Sequence, residues 1–232
     1  MSSTESWLTS ASALALLILT GCASPAPGKL LFEDEFRSLE NWHIEAERPG
    51  HIRAANGILD IDVPAGVTLW FKPRLDGPIA IEFEATAVAE GGPNDQVSDL
   101  NVFWMANNVD GQAPVFAHAR SGKFEEYNTL LTYYVGLGGN RNTTTRFRRY
   151  IGDPVLRPLR PGDDLAGVPF MLVPNQRQAI RLVANDKHIE YGRDGTRIFH
   201  MEDSAPYEHG WFALRTTFSH LRISHLRIRR VP

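Results

Sequence analysis

From about residue 30 onward, hydrophobic and polar positions alternate with a period of two, the mark of strands with one buried face. The clearest case is 79–88, where Ile79, Ile81, Phe83, Ala85 and Ala87 share one face and Glu82, Glu84 and Thr86 the other. The same pattern predicts strands at 30–36, 57–63, 67–72, 100–106, 129–135, 143–150, 179–184, 188–191, 196–201, 211–216 and 224–231. Asn185-Asp186 and Arg193-Asp194-Gly195 fall between the later strands as hairpin turns, and Gly91-Gly92-Pro93 and Arg160-Pro161-Gly162 punctuate the middle. No stretch carries a helical stripe of useful length. Many short strands with frequent turns predict an all-β, two-sheet antiparallel sandwich or jelly roll. An opening strand with Phe32 and Phe36 and a closing one with Leu226, Ile228 and Val231 can lie side by side, which would remove a free edge.

The N-terminus has a different pattern. Residues 11–19 form a short apolar run ending in Leu19-Thr20-Gly21-Cys22. Such a run is shorter than the roughly 20 apolar residues that span a bilayer, but it suits a cleavable export signal. The ending resembles a bacterial lipobox, in which the cysteine is lipidated after cleavage. Cys22 is the only cysteine, so an intramolecular disulfide is excluded. The first ten residues carry Glu5 and no Lys or Arg, which departs from the usual positively charged start of a signal. The expected organisation is a signal at 1–21, a lipidated Cys22 with a Pro/Ser/Gly tether to 28, and a single jelly-roll domain at 29–232. The product would be exported and membrane-anchored through Cys22, in the periplasm or at the outer membrane or cell surface.

Composition adds limits. At 43% hydrophobic, 22% charged and a net charge of −3, the chain is neither disordered nor globally suited to nucleic acid. The charge is nevertheless uneven: residues 141–160 hold six arginines and one acid, Asp153. On a strand at 143–150, Thr144, Arg146, Arg148 and Tyr150 share a face, with Thr145, Phe147 and Arg149 opposite. Two guanidinium groups about 7 Å apart suit an anionic ligand, because their forks match carboxylates and sulfates. The competing reading is a charge-protected edge strand, or arginines paired with Glu82, Glu84, Glu125 and Glu126. Trp104, Tyr127, Tyr133, Tyr134 and Tyr150 interleave with this patch and suit sugar rings, although only one of Tyr133 and Tyr134 can share the arginine side. Gly136-Leu137-Gly138-Gly139-Asn140 precedes a strand rather than a helix, which argues against nucleotide binding and for a tight turn presenting Asn140 and Asn142. The eight histidines show no metal-ligand spacing. No cofactor is expected; a structural calcium on loop carboxylates such as Asp95 or Asp99 is compatible with the sequence but is not specified by it.

Three segments carry a resemblance: 99–106 (DLNVFWMA), 133–150 (YYVG through NTTTRFRRY), and 210–216 (GWFALRT) followed by His220. They resemble a family of bacterial concanavalin-A-like, LamG-like jelly-roll domains associated with polysaccharide utilisation, similar to the YesU-type proteins found beside pectin-degradation enzymes. The resemblance spans nearly all of the chain after Cys22 and implies a two-sheet fold with a carbohydrate site on its concave face. It implies no settled reaction. One departure is Ala213, where relatives tend to carry glycine.

Three functions follow as expectations. The first is a polysaccharide lyase acting by β-elimination on a uronate glycan. Arg146 and Arg148, with Asn140 or Asn142, would neutralise the carboxylate; His220 or a tyrosine would act as base, and Tyr134 or Tyr150 as acid. Asn101, Trp104, Tyr127, Tyr133 and Arg215 would complete substrate binding. The second is a glycoside hydrolase, for which Glu82 and Glu84 are the nearest thing to a carboxylate pair, or a variant acting on 3-keto sugars. The third is a non-catalytic glycan-binding module.

Overall fold

The computed structural model describes residues 28–231; the signal segment, Cys22 and the tether up to 27 lie outside the described residues. Sixteen strands build two sheets of eight. In chain order they are β1 (Leu30–Asp34), β2 (Trp42–Ala46), β3 (His51–Ala55), β4 (Ile58–Val63), β5 (Val67–Phe71), β6 (Leu75–Asp76), β7 (Ile79–Ala87) and β8 (Leu100–Asn108). There follow β9 (Leu130–Gly138), β10 (Thr144–Ile151), β11 (Asp164–Leu165), β12 (Arg177–Asn185), β13 (His188–Arg193), β14 (Thr196–Glu202), β15 (His209–Thr216) and β16 (Ser219–Arg230). The first sheet runs β14-β13-β12-β7-β16-β4-β3, with β1 also on β16; the second runs β11-β10-β9-β8-β15-β5-β2, with β6 also on β15.

Every strand pairing is antiparallel, and the termini meet as the pattern predicts, with Phe32 opposite Ile228 and Asp34 opposite Leu226. β1 ends two residues before the expected boundary because Phe36 turns the chain at φ 48°. β2 and β3 escape the sequence pattern because they are short and carry His43, Glu45 and Arg53 among few apolar residues. β16 begins at Ser219, five residues earlier than expected, and passes through a bulge at His225 (φ 55°).

The core lies between the sheets. Ile79, Ile81, Phe83, Ala85 and Ala87 of β7 face Val102 and Trp104 of β8, Tyr133 and Val135 of β9, and Phe147 of β10 in one apolar cluster. Burying each large side chain contributes about 1.5–3 kcal/mol, and the geometry fixes their places. Trp104 lies parallel to Phe147 at 5.9 Å, and its indole donates to the carbonyl of Val183 across the sandwich.

A second cluster covers the outer side of the second sheet. Residues 109–129 fold over it through two 3-10 turns, Val115–Ala117 and Phe124–Tyr127, and lay Val115, Phe116, Phe124 and Tyr127 on Trp70, Phe103, Tyr134 and Trp211. This cover is fastened by buried polar contacts. Glu45 Oε2 accepts from the Trp70 indole (3.0 Å) and the Tyr127 hydroxyl (2.7 Å). Arg120 donates to the carbonyls of Val115 and Glu126 and to Asn108 Oδ1.

Candidate functional site

Antiparallel register draws one row of side chains straight across the outer face of the second sheet. Asp164 lies opposite Arg146, Arg146 opposite Gly136, Gly136 opposite Asn101, Asn101 opposite Arg215, and Arg215 opposite Thr68. The next row holds Arg148, Tyr134, Phe103 and Ala213. Period-two alternation does the rest: Asp99, Asn101 and Phe103 point out of the sandwich while Leu100, Val102 and Trp104 point in.

At the centre, the missing side chain of Gly136 lets two polar atoms pack closely against the strand. A methyl group there would lie 2.7 Å from the Tyr134 hydroxyl and 3.1 Å from Asn101 Oδ1. Asn101 is 3% exposed and its Oδ1 has no hydrogen-bond partner, while its Nδ2 donates to Asp99 Oδ1 at 3.3 Å. The Tyr150 hydroxyl is buried two rows along, with the Arg157 guanidinium beside it. Buried polar atoms are nearly always satisfied, so the unpartnered Asn101 Oδ1 stands out on this face.

Cations lie around these atoms. Arg148 is half-buried and gives one hydrogen bond, to the carbonyl of Arg157 at 2.5 Å. Arg215 is 3% exposed and spends its donors on Thr68 Oγ1 and the carbonyl of Gly122, with the Phe124 and Tyr127 rings each 5.0 Å away. Arg157 packs over the Phe124 ring at 5.5 Å. Among the described residues, none of these three has a carboxylate within 4.0 Å; their neighbours Arg146, Arg149 and Arg160 do, pairing with Asp164, Asp203 and Asp163. Burial lowers the pKa of Arg148, and the charges of Arg157 and Arg146 add to the effect. Burial pushes Tyr134 well above the ordinary phenol value, with Tyr150 and Asp99 adding to it, so Tyr134 stays protonated. Burial also raises Tyr150, opposed by Arg157, Arg148 and Arg215, and Asp99, opposed by the hydrogen bonds from Ser98 and Asn101 and by Arg215. Asp99 is held at φ 58° at the head of β8, where Ser98 and Asn101 donate to it.

The structure thus brings together Arg146, Arg148, Tyr134, Tyr150, Asn101 and Arg215 from the sequence candidates. It sets the others elsewhere. His220 is on β16 of the first sheet, with Nδ1 3.0 Å from Asp95 and Nε2 3.2 Å from Asp60, so it does not serve the arginine face as a base. Trp104 and Tyr133 are buried between the sheets, because each has the strand parity opposite to Asn101 or Tyr134; the Tyr133 hydroxyl donates to Asp203. Tyr127 is on the right side of the sheet, but it is fully buried in the cover. Asn140, Arg141 and Asn142 form a left-handed turn (φ 53°, 58° and 59°). Asn142 there spends its amide on both backbone groups of Leu172, and exposed Asn140 donates to Thr144. Glu82 and Glu84 lie outside the first sheet, paired with Arg181 and Arg177. Asp95 and Asp99 do not converge on a calcium site: Asp95 caps the 90–95 turn and meets His220, while Asp99 is tied to Ser98 and Asn101. Asp99, Arg157 and Phe124 were missed as site residues. Alternation from Asn101 and Phe103 points to Asp99, whereas nothing local in the sequence places Arg157 or Phe124 beside β9.

Architecture and strand order define the class: a galectin- or concanavalin-A-like jelly roll. A Bacillus subtilis protein of unknown function with a galectin-like fold superposes with a TM-score of 0.68 at 14% identity, over 88% of this chain and 97% of that one. The carbohydrate binding module CBM66 from Bacillus subtilis matches with a TM-score of 0.55 at 8% identity, over 82% and 95%. LamA from Z. galactanivorans, in complex with laminaritriose and laminaritetraose, matches with a TM-score of 0.56 at 13% identity, over 88% and 100%. At these identities the likeness is one of fold. No curated protein sequence matches the chain significantly. The chain belongs to the DUF6250 family, a domain of unknown function, whose pattern it matches over residues 61–226.

Proposed function

We propose that the outer face of the second sheet binds a uronate-bearing glycan and cleaves it by β-elimination. The observation that carries this reading is the pair of guanidinium ions with no carboxylate within 4.0 Å among the described residues, Arg148 and Arg157, on the face that also holds the buried Arg215 and the orphaned Asn101 Oδ1. Desolvated charge is costly, and a uronate carboxylate would compensate the half-buried Arg148 and Arg157 through charge-assisted hydrogen bonds. Fold neighbours that bind carbohydrate support a glycan as the ligand.

Elimination removes the proton beside the carboxylate, forms a carbon–carbon double bond and expels the glycosidic oxygen. Arg148, with Arg146 at the open edge, stabilises the negative charge that builds on the carboxylate. Asp99, whose raised pKa suits a carboxylate acting as a base, takes the proton, and the protonated Tyr134 delivers one to the leaving oxygen. Hydrolysis by a carboxylate pair has less support, since Asp99 at Asn101 has no second carboxylate hydrogen-bonded beside it among the described residues, and Glu82 and Glu84 are engaged on the other sheet.

Incubating the domain with a panel of uronate glycans and following conjugated-alkene absorbance tests this reading. A rise that vanishes in Arg146→Ala/Arg148→Ala and Asp99→Asn supports it. Glycan binding without product would overturn elimination in favour of a binding module, and preferential binding of neutral glycans would overturn the anionic reading. Export as a Cys22-anchored lipoprotein of a polysaccharide-utilisation system belongs to the same proposal. Metabolic labelling with a fatty acid checks it, and label retained in Cys22→Ala would refute it.

A further inference from the structure

The outward side of the β13–β14 hairpin carries donor atoms that the arginine face does not use. His188 lies directly opposite Glu202 in the register, and His200 lies opposite Glu190, one step along the same face. Nδ1 of His188 is 2.5 Å from Glu202 Oε1, and Nε2 of His200 is 3.3 Å from that same oxygen. The two imidazole rings are parallel within 19° at 6.2 Å. One ligand atom from each residue falls within 4.8 Å of the others, and all three residues are exposed.

Two imidazole nitrogens and a single carboxylate oxygen form a zinc-type ligand set; calcium and magnesium take oxygen ligands almost throughout. Around a tetrahedral zinc with bonds of about 2.1 Å, ligand atoms sit about 3.4 Å apart. The His200–Glu202 spacing already matches, and small side-chain rotations suffice for the rest. The frame beneath is fixed, because Ile189, Tyr191, Phe199 and Met201 anchor the same two strands in the core. We propose that His188, His200 and Glu202 form a surface zinc site with its fourth position open to water or an exchangeable ligand. The residues are 12 and 14 positions apart, so no sequence motif shows the site; the hairpin register creates it.

The test is titration of the full chain with Zn2+ against a chromogenic chelator, in a Cys22→Ser background that removes the lone thiol. One Zn2+ per chain is expected, with affinity lowered at least about tenfold in His188→Asn/His200→Asn and also lowered in Glu202→Gln. His225→Asn serves as the control, since that exposed histidine pairs with Glu84 instead. Zn2+ should raise the Tm of the parent and leave the double variant unchanged. Equal Zn2+ affinity in parent and double variant, or displacement of Zn2+ by excess Ca2+, would overturn the proposal. Metal-free melts of the variants matching the parent exclude misfolding as the cause.

Discussion

Replacing Glu45 with alanine probes how the cover over the candidate site is held. One carboxylate oxygen accepts from both the Trp70 indole and the Tyr127 hydroxyl, at 3.0 and 2.7 Å, and both donors belong to fully buried residues. Alanine leaves both unsatisfied. A buried donor without a partner costs about 1–3 kcal/mol, so the pair costs about 2–6 kcal/mol. It also removes the nearest carboxylate to Arg120, 4.0 Å away and 6% exposed. The second carboxylate oxygen has no hydrogen-bond partner, so Glu45→Gln, which can keep the accepting oxygen, loses less. Urea unfolding followed by tryptophan fluorescence gives the global loss, and a Tm drop of about 2–4 °C per kcal/mol accompanies it for a domain of this size. Hydrogen exchange across residues 109–129 gives the local loss. In a double-mutant cycle with Tyr127→Phe, the two changes couple by about 1 kcal/mol or more. A loss below about 1 kcal/mol for Glu45→Ala, with exchange in the cover unaltered, would refute the claim that this carboxylate fastens it.

Three further outcomes follow from the same geometry. Burial raises the folded-state pKa of Asp99, so the stability tied to its proton is present at low pH and lost as pH rises through that raised value; Asp99→Asn should raise the Tm at pH 7, with the gain shrinking on acidification, and abolish elimination. Asp203 behaves oppositely: burial pushes it up, but hydrogen bonds from Tyr133, Arg149 and Ala205 overcome that and hold it below the ordinary range. Its contribution is therefore present above the unfolded pKa and lost as pH falls through the folded one, so Asp203→Asn should lower Tm at pH 7 and flatten the acid limb of the stability curve. Gly136→Ala places a methyl group against the Tyr134 hydroxyl and Asn101; calorimetry with the best glycan should show at least tenfold weaker binding, with a stability loss of only about 1–3 kcal/mol.

Strand alternation makes much of this protein legible in its sequence. The face of β7, the split of Phe147 from Arg146 and Arg148, and the rule that Tyr133 and Tyr134 must part company all follow from a period of two. Applied one step further, the same rule assigns Trp104 to the core, since it differs in parity from Asn101. The short polar strands β2 and β3 were not legible, because an edge strand with one half-wet face needs few apolar residues.

The sequence alone therefore determined which side chains share a strand face, because that depends on covalent spacing. Which strands lie next to one another was decided by tertiary structure. Asn101, Gly136 and Arg146 are separated by 35 and 10 residues yet form one row, and Arg215 joins them from the far end of the chain. His220, named from its nearness in sequence to Arg215, went to the other sheet after a tight turn at Phe218. Charge followed the same logic. The sequence showed an arginine excess in 141–160, but only folding sorted Arg146, Arg149 and Arg160 to nearby aspartates and left Arg148 and Arg157 without one within 4.0 Å among the described residues. An ion pair is a matter of a few ångströms across strands, and distances of that kind are set by register and packing.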